Sequence, residues 1–169
     1  TLMEKYDIVV IGGGSAGLAA ALSASERGCQ HILVIEQGIE CGGILQQCIH
    51  NGFGLHTFDL ELTGPEYAYK YIEKLKEKNI EYMLDTTVIN VSKEKIVRAL
   101  NSKDGLLIIK AEAIILACGC RERPRGAINI PGTRASGIYS AGTAQKLVNI
   151  DGYLPGKRVV ILGSGDIGL

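Results

Sequence analysis

Four consecutive apolar residues, Ile8-Val9-Val10-Ile11, are matched after a polar interval by Ile32-Leu33-Val34-Ile35. Runs without alternation suit parallel strands covered on both faces, so strands are expected over 6–11 and 32–36. Between them, residues 15–27 carry Ala16, Leu18, Ala19, Ala20, Ala21, Leu22 and Ala24, helix formers small enough to lie close to a sheet, and Gly28 supplies a C-terminal stop. The pattern is strand, helix, strand.

Residues 38–61 show no sustained period and contain five glycines, which predicts a long loop with short helical turns at most. Thr63-Gly64-Pro65-Glu66 then marks a helix start, with threonine as N-cap, proline in the first turn and glutamate closing a capping box. Tyr67, Ala68, Tyr71, Ile72 and Leu75 share one helical face, and the helix is expected to end near Asn79. Short strands are predicted at 80–84, 87–91, 96–100, 106–110 and 113–117, with Asp104-Gly105 as a hairpin signal. A Pro/Gly/Arg-rich loop over 119–137, a helix at 140–149, a linker at 151–156 and a final strand at 159–162 complete the pattern.

The turn after the first strand reads Gly12-Gly13-Gly14-Ser15-Ala16-Gly17. In a dinucleotide fingerprint, Gly12 permits the tight turn, Gly14 lets a pyrophosphate approach the backbone and Gly17 lets the helix pack closely on the strand. The amides near Ser15 and Ala16 then face the anion at the positive end of the helix dipole. Glu36 ends the second strand, where a carboxylate accepts hydrogen bonds from ribose hydroxyls and repels a 2′-phosphate, so NADP is disfavoured there. A second fingerprint, Gly163-Ser164-Gly165-Asp166-Ile167-Gly168, follows Val159-Val160-Ile161-Leu162. Two such sites in one protein imply electron transfer between two nucleotide cofactors.

Composition narrows the partners. Lysine plus arginine equals aspartate plus glutamate at 18 each, so no net field favours nucleic acid or an anionic membrane, and a small-molecule ligand is expected. The N-terminal segment has neither signal-peptide character nor a span-length apolar run, and a cytoplasmic protein is expected. Five cysteines, Cys29, Cys41, Cys48, Cys118 and Cys120, form no disulfide framework and match no usual metal-ligand spacing, so no metal site is assigned.

The GGGxAG fingerprint with Glu36, the Cys41-Gly42-Gly43 segment, Ala117-Cys118-Gly119, the Arg121-Glu122-Arg123-Pro124-Arg125 loop, Ile130-Pro131-Gly132 and the second fingerprint resemble the FAD/NAD(P)-dependent pyridine nucleotide-disulfide oxidoreductase superfamily. Within it the chain is most similar to FAD-dependent oxidoreductases related to sarcosine oxidase alpha subunits and found beside anaerobic glycerol-3-phosphate dehydrogenase. The resemblance implies FAD at the first site and NAD(P) at the second, through Gly163, Gly165 and Gly168. It places Glu36 on the adenosine ribose, the Val88 backbone on adenine, and Ala117, Cys118 and Gly119 near the FAD pyrophosphate, with Gln37 and Gly43 in the same cofactor site. Cys118 stands where threonine is usual. Hydride transfer between NAD(P)H and FAD follows, with electrons exchanged with a second substrate or a partner redox subunit, and with homo-oligomerisation open.

The disulfide reductases of that superfamily carry two cysteines four residues apart after a Gly-Gly pair. Here only Cys48 follows Gly42-Gly43, at a shorter spacing, which argues against a dithiol mechanism. Cys48 and His50 are candidate catalytic residues, because an imidazolium lowers a neighbouring thiol pKa. The alternative, Cys48 packed as a small apolar residue and His50 facing solvent, stays open. His31 and His56 have no partner in the sequence and are expected on the surface or in packing roles.

The expected fold is α/β: a Rossmann-like FAD-binding domain over 1–155, with a parallel sheet and an inserted antiparallel β-meander, then the first strand and glycine loop of an NAD(P)-binding domain over 156–169. A piece of a longer oxidoreductase, not competent alone, is expected; a non-catalytic nucleotide-binding module is the alternative.

Overall fold

The computed structural model describes residues 4–133 and 135–168; Arg134, inside the predicted 119–137 loop, and Leu169 lie outside the described residues. The chain divides into two compact units, the first ending at Gly119 and the second beginning at Cys120.

The first unit is built on a six-stranded sheet. Strand β1 (Glu4–Ile11), helix α1 (Ser15–Glu26) and strand β2 (Ile32–Ile35) form the predicted unit, and β1 pairs with β2 in parallel, Ile8 opposite Ile32 and Ile11 opposite Ile35. Residues 38–61 hold more structure than predicted: a 3-10 turn over Gly43–Gln47, strand β3 (Asn51–Phe53), a single helical turn α2 (Leu55–Phe58) and, just beyond, strand β4 (Leu62–Thr63), which pairs with β3. These pieces are too short to leave a periodic signal, and tertiary contacts hold them. Helix α3 (Gly64–Glu77) has the predicted capping box, in which the Thr63 hydroxyl accepts from the Glu66 amide and the Glu66 carboxylate accepts from the Thr63 amide.

Strands β5 (Glu81–Met83), β6 (Thr86–Val91), β7 (Ile96–Asn101) and β8 (Gly105–Leu116) complete the sheet in the order β5-β2-β1-β8-β7-β6. The strands predicted at 106–110 and 113–117 are therefore one. β8 pairs antiparallel with β7 along its first half and parallel with β1 from Ile109 to Leu116. Lys110 and Glu112 interrupt the apolar pattern, and the packing phase slips there: Leu107, Ile109 and Ala111 pack on the same cluster as Ile114, whereas Ile115 and Ala117 pack on the other side. A polar break with a change of phase reads as a loop in the sequence, although the backbone continues.

Two cores follow from the alternation along β1 and β2. Val10, Ile32 and Val34 face α1 and α3, packing with Leu18, Ala21, Leu22 and Leu75. Val9, Ile11, Leu33 and Ile35 face the meander side, with Val97, Ile109 and Ala111. Each fully buried Leu or Ile in these layers stabilises the fold by roughly 2 kcal/mol.

The second unit contains helix α4 (Ala141–Asn149), close to the predicted 140–149. Glu122 accepts from the amides of Gly142 and Thr143 at 3.0 and 3.1 Å, capping α4 from outside its own segment. Arg125 donates to the carbonyls of Pro131 and Gly132, tying that loop to itself. Residues 159–162 form no strand, contrary to the sequence expectation, and their side chains are exposed, Val160 at 96%. Among its described residues the second unit contains no strand, so within it this apolar run has no ladder to join.

Candidate functional site

Three strand ends converge at one edge of the sheet, where a parallel α/β sheet places its ligands. The Gly12 amide donates to Ile35 O at 2.8 Å and the Ala117 amide to Ile11 O at 2.8 Å, so the turn after β1 is bracketed by the residues ending β2 and β8. Gly12 has φ +107°, and a Cβ there would stand 2.2 Å from Ala117 O. A Cβ on Gly17 would meet Gly12 O at 1.8 Å, which shows how closely α1 enters the turn. Gly12 and Gly17 thus have the steric roles assigned from the sequence.

Gly14 differs from both. Its φ is −75° and a Cβ on it would meet nothing within 4 Å, so the space above it is open. α1 carries no side-chain cap and no acid in its first turn, where Ser15 and Ala16 stand. An open backbone at the positive end of a twelve-residue helix fits a diphosphate.

Glu36 is held on every side. Its amide donates to Met83 O at 2.8 Å and its carbonyl accepts from Thr86 N at 3.0 Å, so its backbone is clamped between the end of β5 and the start of β6. Its carboxylate accepts from the Gly13 amide through Oε2 and from the Gly38 amide through Oε1, both at 2.7 Å, and the residue is 9% exposed. Each carboxylate oxygen has two lone pairs, so each can accept one further donor. Gln37, next in the chain, is exposed.

The Cys41–Gly43 segment lies against the turn. The Gly42 amide donates to Gly13 O at 2.8 Å, and a Cβ on Gly43 would stand 3.1 Å from the Gly14 Cα. Cys41 is buried beneath Gly13, and burial, with the charges of Glu36 and Glu40, pushes its thiol up to about 11. That thiol is protonated and inert at neutral pH. The sequence did not single Cys41 out for this packing role, although its place beside Gly42-Gly43 was a signal.

Val88 is half-buried in β6, opposite Ala99, and packs on the meander-side core. The Cys118 thiol lies 3.7 Å from Ile11 O, and Gly119 follows with φ +65°. Cys48 is half-buried, and its carbonyl accepts from the Gly64 amide at 2.8 Å. His50 is exposed, with Nδ1 2.8 Å from Asn51 O and its ring tilted on Phe53 at 5.4 Å. Among the described residues no hydrogen bond joins Cys48 to His50. In the second unit, Gly163 has φ +123°, Gly165 is exposed and Gly168 ends a 3-10 turn over Asp166–Gly168. Among the described residues no group of His, Cys, Asp or Glu stands together as a metal site, and no helix is long and apolar enough to cross a membrane.

The family model described as pyridine nucleotide-disulphide oxidoreductase matches residues 6–169. The chain belongs to this family. An opine oxidase subunit of Agrobacterium tumefaciens (strain Ach5) is 29% identical to it over 98% of the chain and 33% of the relative. Thioredoxin reductase of Bacillus subtilis is 32% identical over 95% of the chain and 47% of the relative. The chain therefore spans about a third to a half of the length of these family members. Among solved structures, L-proline dehydrogenase from P. horikoshii covers 93% of the chain with a TM-score of 0.71 at 22% identity, 31% of that structure being matched. Thioredoxin reductase from Streptococcus pyogenes covers 73% with a TM-score of 0.57 at 28% identity, 38% of that structure being matched. These likenesses agree with the Rossmann-like architecture of the first unit.

Proposed function

We propose that the chain is the FAD-binding part of an oxidoreductase that passes hydride between NAD(P)H and FAD and exchanges electrons with a second small-molecule substrate or a partner redox subunit. The observation that carries this reading is the union of Glu36 with the glycine turn: a buried carboxylate locked at the end of β2 beside a backbone with open space above Gly14. The turn from Gly12 to Gly17 holds the diphosphate through the amides of Ser15 and Ala16, and Glu36 takes the ribose. Val88 offers its backbone to adenine, and Gln37, Gly43, Ala117, Cys118 and Gly119 surround the same ligand. FAD supplies the two-electron chemistry when bound; the protein supplies position and electrostatics.

The names of two relatives support the partner. The Agrobacterium opine oxidase relative and HcnB of Pseudomonas protegens, from hydrogen cyanide synthase, are both subunits by name, and each aligns with 94% or more of this chain. Kinship with sarcosine oxidase alpha subunits, NAD(P) binding through Gly163, Gly165 and Gly168, and a cytoplasmic location belong to the same proposal. Cys48 stands without a second cysteine in its segment, which favours electron exchange without a dithiol step.

The test is the visible absorption spectrum of the gently purified chain, before and after added FAD, with the released chromophore identified by mass. Stoichiometric FAD is expected. A folded chain that neither carries nor takes up FAD sinks the proposal.

A further inference from the structure

Beyond the end of β2, hydrogen bonds join residues 36–38 to residues 84–86, and these in turn to residues 101–104. The first connection is backbone: the Thr86 amide donates to Glu36 O at 3.0 Å and the Asp85 amide to Gly38 O at 2.8 Å. The second is made by side chains. Thr86 and Asn101 stand opposite each other in the β6–β7 ladder, and Asn101 Nδ2 donates to Thr86 Oγ1 at 3.3 Å. Ser102 Oγ donates to Asp85 Oδ2 at 2.8 Å, between two exposed residues.

The orientation of the Asn101 side chain is fixed by its partners. The amides of Lys103 and Asp104 both donate to its Oδ1, at 3.1 and 2.6 Å, and an N–H can only donate, so the opposite end of the side-chain amide is the nitrogen. That nitrogen directs one proton to Thr86 Oγ1 and the other to Asp104 Oδ2 at 3.1 Å. Thr86 is 1% exposed, and its hydroxyl gives its own proton to Leu84 O at 2.7 Å. A buried hydroxyl that donates on one side and accepts on the other is held in one rotamer, and it steadies the backbone that bonds Glu36.

We propose that Asn101 is a positioning residue for Glu36: acting through the buried Thr86 hydroxyl, it holds the Glu36 carboxylate in the place from which it takes the ribose. The inference rests on the FAD reading above for its ligand, whereas the coupling is a property of the free chain. The meander thereby contributes to ribose recognition from outside the glycine fingerprint, through a side chain whose own hydrogen bonds all go to residues other than Glu36.

Two substitutions at Thr86 separate this role from packing. Thr86→Val keeps the branched shape and loses the hydroxyl; Thr86→Ser keeps the hydroxyl and loses a buried methyl. Amide hydrogen exchange in the ligand-free chain reads the Glu36 carboxylate, because the Gly13 and Gly38 amides donate to it. Relative to the amides of the β1–β2 ladder, exchange at Gly13 and Gly38 is expected to quicken about fivefold in Asn101→Ala and in Thr86→Val, the worth of one hydrogen bond. It is expected to stay level in Thr86→Ser and in Ser102→Ala. The FAD dissociation constant, from flavin fluorescence, should rise by about the same factor in Asn101→Ala and Thr86→Val alone. Unchanged exchange at Gly13 and Gly38, a change shared equally by the ladder amides, or a larger effect of Thr86→Ser than of Thr86→Val overturns the inference. So does an unchanged FAD affinity in Asn101→Ala. The expected exchange pattern in a chain that binds no FAD overturns the FAD reading and leaves Asn101 positioning Glu36.

Discussion

Glu36 Oε2 accepts the amide of Gly13 at 2.7 Å, so the acid that ends β2 is fastened to the middle of the turn that ends β1. Under the proposed function, ligand recognition and turn geometry are one arrangement. Replacing Glu36 by Gln removes the charge from two short hydrogen bonds and from any ribose contact. Glu36→Gln is expected to weaken FAD binding by roughly 10- to 100-fold, about 1.5–3 kcal/mol. Titration of flavin fluorescence measures this, and an unchanged dissociation constant would remove Glu36 from the site.

Two glycines in the same turn should respond in opposite ways. Gly17→Ala puts a methyl 1.8 Å from Gly12 O, against backbone that has nowhere to move, and the melting temperature is expected to fall by roughly 10 °C. Gly14→Ala meets nothing within 4 Å and needs no unusual φ, so stability should hold while FAD binding is lost. Retention of full FAD affinity by folded Gly14→Ala would show that the diphosphate approaches elsewhere.

Cys41 gives a pH signature. Its folded-state pKa lies above the ordinary 9.0, at about 11, chiefly through burial. A raised value means that the stabilisation is complete below pH 9 and is lost as pH climbs toward 11. Melting temperature is expected to be level up to pH 9 and to fall above it, with a smaller fall in Cys41→Ser. Alkylation below pH 9 should label the exposed Cys118 and Cys120 well before Cys41. Rapid labelling of Cys41 at pH 7 would contradict its burial.

Glu122 offers the opposite sign in the second unit. The Ser140 hydroxyl and the amides of Gly142 and Thr143 hold its carboxyl below the usual range. A depressed carboxylate contributes above its unfolded pKa and loses its contribution as pH falls through the folded value. Glu122→Gln is expected to speed hydrogen exchange at the Gly142 and Thr143 amides at neutral pH, and the difference from the wild type should vanish in acid. Equal exchange rates at neutral pH would show that the cap contributes nothing.

Much of this was legible in the sequence, and the failures share a cause. The β1-α1-β2 unit and the α3 capping box were readable because their signals are local: apolar runs, small helix formers, and a threonine and glutamate three residues apart. In the sequence β8 reads as two strands because Lys110 and Glu112 break the apolar pattern where its packing phase slips. Val159 to Leu162 read as a strand because they are apolar, yet a strand also needs a neighbour. The site divides in the same way. The glycines and Glu36 sit at a spacing that encodes their geometry, whereas the packing of Gly42 and Gly43 on Gly13 and Gly14 depends on tertiary contacts that no local pattern encodes.

The unbroken course of β8 makes one part of this chain intolerant of changes in length. From Ile109 to Lys110 it is hydrogen-bonded to β1 on one side and β7 on the other. A single residue inserted there would shift both registers together and turn every side chain beyond it to the opposite face. The turn at 102–104 has no such double obligation, since its residues are exposed and lie beyond both ladders. Natural variation in loop length, or a peptide tag placed by design, therefore belongs at that hairpin tip, while the strand behind it works as a fixed ruler between the glycine-turn edge of the sheet and the meander.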